Sequence, residues 1–96
     1  MPGYRLRQSA REDLKSIARY TEREWGVAQR NTNMRQLVNR FDWLVENPNL
    51  GKRRDDIKDG YMCFPEGRHV IFYVITPKQV EIIGILHETM DVVRHI

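Results

Sequence analysis

At 96 residues, 30 % of them charged, the chain has room for one hydrophobic core and little capacity to bury several charges at once. A net charge of +3 does not by itself point to nucleic acid, and the single cysteine, Cys63, excludes an internal disulfide and a cysteine-rich metal site. The longest apolar run, Val70 to Ile75, is far too short to cross a membrane, and no basic-then-apolar leader opens the chain, so a cytoplasmic protein with no membrane role is expected.

The charge is unevenly distributed. Residues 1–46 carry nine basic and six acidic side chains, whereas residues 47–96 carry seven of each. The excess therefore lies on the half read below as helical, and a sheet that gripped phosphates would show the reverse.

Tyr4 to Arg7 reads as a short first strand. Ser9-Ala-Arg-Glu12 then has the form of a capping box, with Ser9 as N-cap. Ala10, Leu14, Ile17, Ala18, Thr21 and Trp25 follow at helical spacing as one apolar stripe, and Gly26 ends the helix in a left-handed cap. A second helix spans Val27 to Glu46, with Met34, Leu37, Val38, Phe41, Leu44 and Val45 as its buried stripe and Asn47-Pro48 as its stop. One glycine between two helices requires an antiparallel hairpin.

Residues 47–59 read as a charged, solvated loop. Three antiparallel strands follow, ending near Phe64, Ile75 and His87, joined by turns at Phe64-Pro-Glu-Gly67 and Thr76-Pro-Lys-Gln79. Val70 to Ile75 is apolar on both faces, as a central strand would be; the helices should cover one face, and the C-terminal tail or a partner the other. The fold class expected is α+β.

Acid–base chemistry would fall first to His87 or His69, with Glu66, Arg68 or Glu88 as partners. Glu88 adjoins His87 and points to the opposite face of a strand, while Glu66 and Arg68 belong to a hairpin turn expected at the far side. A hydrogen-bonded strand-end histidine is therefore the favoured reading of both residues, and His95 is left as tail. The histidines show no paired metal-ligand spacing, the glycines form no phosphate-cradling loop, and no nucleophile has an activating neighbour. No catalytic residue, metal site or cofactor is expected. On the first helix Arg11, Lys15, Arg19 and Arg23 recur every four residues as a cationic ridge. It is either a solvated face or a landing strip for an acidic polypeptide or a phosphate backbone.

Taken in order, these residues resemble the ParE branch of the RelE/ParE toxin superfamily of bacterial toxin–antitoxin systems. The resemblance is carried by Ala10 with Asp13-Leu14 and Ile17, Tyr20-Thr21, Trp25-Gly26 and Gln29, Asn47-Pro48 with Leu50-Gly51, and Gly60-Tyr61. It continues through Gly67-Arg-His-Val-Ile-Phe-Tyr73 and Ile85-Leu-His87 with Met90-Asp91. It implies an N-terminal strand, a helical hairpin and a three-stranded antiparallel sheet with a short tail. It further implies a non-enzymatic toxin that poisons DNA gyrase on cleaved DNA and is silenced by a ParD-like antitoxin in a hetero-oligomer.

By resemblance, target contacts fall to Arg68, His87, Met90 and Asp91, and antitoxin contacts to Arg11, Leu14, Lys15, Arg19, Arg23 and Leu37. Relatives usually carry arginine at the positions of Met62 and Gly84, and an aromatic at that of Asn33. The alternative is a ribosome-dependent endoribonuclease of the RelE kind with His87 and Arg68 as the reacting pair. It is weakened because Arg68 is left as the main cation of the sheet. A third reading, a basic nucleic-acid-binding module, rests on the helix ridge alone.

Overall fold

In the computed structural model, which describes residues 3–96, the hairpin forms as the pattern requires: α1 spans Gln8–Trp25 and α2 spans Val27–Glu46. Gly26 joins them at φ +90° and ψ 174°, outside the left-handed helical region expected for it but still in territory that glycine alone enters freely. Its N–H caps Glu22 O at 2.8 Å, so a single residue ends one helix and starts the next. Leu37, Phe41 and Leu44 are buried as expected. Val38 and Trp25 instead lie outside, at 41 % and 65 % exposed, because Val38 sits off the buried face and Trp25 occupies the hairpin's tip.

The expected capping box does not form. α1 begins one residue before Ser9, its N-cap is Arg7, and no side chain caps it. Ser9 is used elsewhere, its Oγ donating to Ile83 O.

The sheet has five strands rather than three plus one: β1 (Tyr4–Leu6), β2 (Lys52–Arg53), β3 (Met62–Glu66), β4 (His69–Ile75) and β5 (Val80–His87), in the order β1-β5-β4-β3-β2. It is mixed, since β1 runs parallel to β5 while the other pairs are antiparallel. The two parallel partners are far apart in the chain, with both helices and β2 to β4 between them, so no tight turn has to join them. The loop at 47–59 is partly structured: a 3-10 turn at Pro48–Leu50 precedes β2, which pairs Lys52 with Cys63 and Arg53 with Met62.

The first hairpin turn falls two residues later than expected. Pro65 lies inside β3 opposite Val70, and Gly67-Arg68 make a two-residue turn. Gly67 has φ +61° and Arg68 does not share the positive φ, the signature of a type II′ turn that suits the twist of the strands. The second turn forms where expected, with Thr76 N–H donating to Gln79 O at 2.9 Å.

Both faces of β4 are buried. Ile71 and Tyr73 face the helices with Phe41, Leu44, Ile82 and Ile85. Phe72 packs on the far face with Tyr61, Cys63, Ile83 and Leu86. That far face is partly covered by Val92 and Ile96, from the short helix α3 (Val92–His95) and the residue after it, so the C-terminal tail, one of the two covers expected, folds onto it. Among the described residues no helix is long and apolar enough to cross a membrane.

Candidate functional site

The organising feature of the site is an irregularity in β5. Ile75 to Tyr73 pair in step with Val80 to Ile82, but Phe72 pairs with Gly84, so Ile83 is an extra residue. An unpaired residue of this kind is a β-bulge, and glycine often marks one because it has no side chain to place. β1 leaves the other edge of β5 at Leu6, where Arg7 N–H donates to Ile82 O at 3.0 Å. Beyond that point α1 supplies partners from its side chains. Ser9 Oγ donates to Ile83 O, and Ile85 N–H donates to Asp13 Oδ2 at 2.9 Å. Burial pushes the Asp13 carboxyl above its ordinary value, against the opposing effect of the Ile85 hydrogen bond.

The bulge shifts everything after it by one residue. Continued from Ile75 and Val80 without it, the pairing would set His69 opposite Leu86; with it, His69 faces His87. Their rings stand perpendicular with centroids 5.5 Å apart. They lie on the helix-facing side of the sheet, two residues along from Ile71 and Ile85. His87 Nδ1 is 2.8 Å from Thr89 Oγ1. Burial, and then His87, hold the His69 imidazole below its ordinary value, with Glu88 opposing.

Arg68 thus sits at the same end of the sheet as His87, not at the far side. Its carbonyl accepts from Glu88 N–H at 2.9 Å, and its guanidinium, 81 % exposed, reaches to 3.9 Å from Glu88. Met90 N–H donates to His87 O, and the Asp91 side chain accepts from Val93 N–H at the start of α3. All four residues expected to touch a target therefore gather at one corner, where the β3–β4 turn meets the β5–α3 connection.

Beside this corner, on the far face of the sheet, lies an open groove of about 390 Å³. Its floor is Val70, Phe72 and Leu86, Val92 and Met90 stand over it, and Lys52 and Arg54 are on its margin.

Of the residues expected to meet an antitoxin, Arg11, Lys15, Arg19 and Arg23 are exposed along α1. Among the described residues none of the four has a carboxylate within 4.0 Å. Leu14 is half-buried against the core, and Leu37, 3 % exposed, is a core residue with no surface to offer. The sequence reading missed the exposed aromatic tip of the hairpin, where Tyr20 and Trp25 stack edge-to-face at 5.8 Å and Arg23 lies over Tyr20. It also missed Ser9 and Asp13. The one signal for them was Gly84, a residue out of place in an apolar strand.

Residues 4–92 match the family model described as "ParE toxin of type II toxin-antitoxin system, parDE". The chain belongs to the ParE toxin family. It is 35 % identical to Toxin ParE1 of Caulobacter vibrioides over 96 residues, covering 100 % of this chain and 99 % of that one. It is 33 % identical to Toxin ParE1 of Mycobacterium tuberculosis over 94 residues, covering 97 % and 96 %. Among solved structures, a chain of the chromosomal ParDE toxin–antitoxin system from P. aeruginosa superposes with a TM-score of 0.76 over 88 % of this chain and 92 % of that one. At 16 % identity that match speaks to the ParE fold alone.

Proposed function

We propose that this ParE family member acts by occupying protein surfaces: it inhibits DNA gyrase by stabilising the cleaved DNA complex, and a cognate ParD-like antitoxin binds it and silences it. The observation that carries the binding half is the α1 ridge, four exposed cations in line, none of which has a carboxylate within 4.0 Å among the described residues. Such a stripe attracts an acidic polypeptide from a distance and orients it on arrival. Family membership and the exposed corner of Arg68, Met90 and Asp91 support the gyrase half.

A second reading, message cleavage on the ribosome, draws on the gathering of Arg68, His69 and His87. Physical arguments weigh against it. Arg68 already faces Glu88, and of the two imidazoles His87 alone lines the open groove. A cleavage site needs an acid, a base and cations converging on one phosphate.

Purified chain added to gyrase with supercoiled DNA, and separately to programmed ribosomes, tests both. Linear DNA trapped with gyrase is the expected result. Cleaved A-site message without trapped DNA would replace this reading with the second.

A further inference from the structure

We infer that His69 and His87 form a two-imidazole binding site for a divalent transition-metal ion of the kind that favours nitrogen ligands, Cu²⁺ or Zn²⁺. Arg68 and Glu88 share a ladder hydrogen bond, so the next pair along, His69 and His87, is the non-hydrogen-bonded kind. In such pairs the Cα atoms approach to about 4.5 Å and the side chains stand close together.

Ring spacing agrees with chelation. A metal-bound imidazole nitrogen lies about 2.0–2.1 Å from the ion, so two rings sharing a tetrahedral ion have centroids about 5 Å apart. Here they are 5.5 Å apart. The backbone pairing, with the side-chain conformations seen, therefore sets the rings close to chelating separation.

The ligand atoms are also available. With Nδ1–H donating to Thr89 Oγ1 at 2.8 Å, the Nε2 lone pair of His87 is free, and the hydroxyl orients the ring as partners of metal-binding histidines do. A longer contact from Thr89 N–H, 3.3 Å, favours the other tautomer, and a metal selects the first. His69 has no hydrogen-bond partner on its ring among the described residues, and burial favours its neutral, ligating form. No third histidine, cysteine or carboxylate joins them among the described residues, so solvent fills the remaining positions.

The test is titration of the purified chain with Cu²⁺, followed by calorimetry and electron paramagnetic resonance. The chain has three histidines, so a His95→Ala background leaves only these two imidazoles. One Cu²⁺ per chain is expected, with the hyperfine signature of two imidazole nitrogens. Adding His69→Ala or His87→Ala should weaken binding about tenfold or more, equivalent to at least 1.4 kcal/mol. Should either variant fail to fold, the nitrogen count in the His95→Ala background decides alone. Absence of uptake, a single-nitrogen signature, or unchanged affinity in both variants would mean an adventitious ion only and overturn the site.

Discussion

At Gly84 an added Cβ would stand 3.1 Å from Asp13 Oδ2 and 3.2 Å from Leu86, so a side chain there would crowd the carboxylate that reaches the strand. Removing that carboxylate with Asp13→Ala leaves Ile85 N–H, a partly buried donor, without its partner. The expected loss is about 1–3 kcal/mol in urea unfolding, and a loss below about 0.5 kcal/mol would remove this role from Asp13. Asp13 also makes stability depend on pH. Burial raises its carboxyl in the folded state, so the folded chain holds the proton more tightly than the unfolded chain. Its contribution is therefore full below the ordinary value of 3.8 and is lost as pH rises through the raised folded value. Asp13→Asn should flatten the wild-type stability profile across that window above 3.8, and an identical profile in the two proteins would rule the assignment out. A different constraint acts at Gly51, where a Cβ would overlap the Tyr73 hydroxyl, which donates to Pro48 O at 2.7 Å. Glycine is required there for close approach, since its φ of −71° is open to any residue.

Among the elements, β5 and α1 act as one unit. The bulge at Ile83 turns Ile85 and His87 toward the helices, and α1 secures it with Ser9 and Asp13 where β1 has already ended. This arrangement leaves the opposite side of α1 free to carry its four cations. Arg19→Glu should slow association with the antitoxin, most strongly at low salt, while leaving dissociation nearly unchanged, because exposed charges act mainly on the encounter. Stopped-flow mixing across a salt series would measure this, and an on-rate equal to wild type at every ionic strength would remove the ridge from binding. The hairpin tip depends on Gly26. At φ +90° any other residue is strained, so Gly26→Ala is expected to destabilise by about 1–2 kcal/mol in thermal unfolding.

For the molecule as a whole, one sheet separates two clusters of unequal security. The helix side holds Phe41, Leu44, Ile71 and Tyr73, all fully buried. A domain of this size has about 5–10 kcal/mol of stability, and truncating a buried Phe removes about 3–5 kcal/mol. Phe41→Ala should therefore remove a large share of that stability, with circular dichroism showing a thermal midpoint lowered by more than about 10 °C. The other side is finished by Val92 and Ile96 over a groove that stays open. Much of this was legible in advance. Helical periodicity marked α1 and α2, Gly26 and Asn47-Pro48 marked their ends, and the two-sided apolar run of β4 marked the centre of the sheet, because each depends on neighbours within a turn or two. β2 was not legible, since two charged residues become a strand only when β3 lies beside them. The site was legible as residue types but not as an arrangement: Arg68, His87, Met90 and Asp91 could be named, yet their meeting depends on β4 and β5 pairing antiparallel, which sets the turn before β4 beside the end of β5. The sequence by itself determined the elements, the cationic ridge and the family. Only the tertiary structure decided that His69 faces His87, because a bulge arises where a strand exchanges one partner for another, and those partners lie 70 or more residues away in the chain.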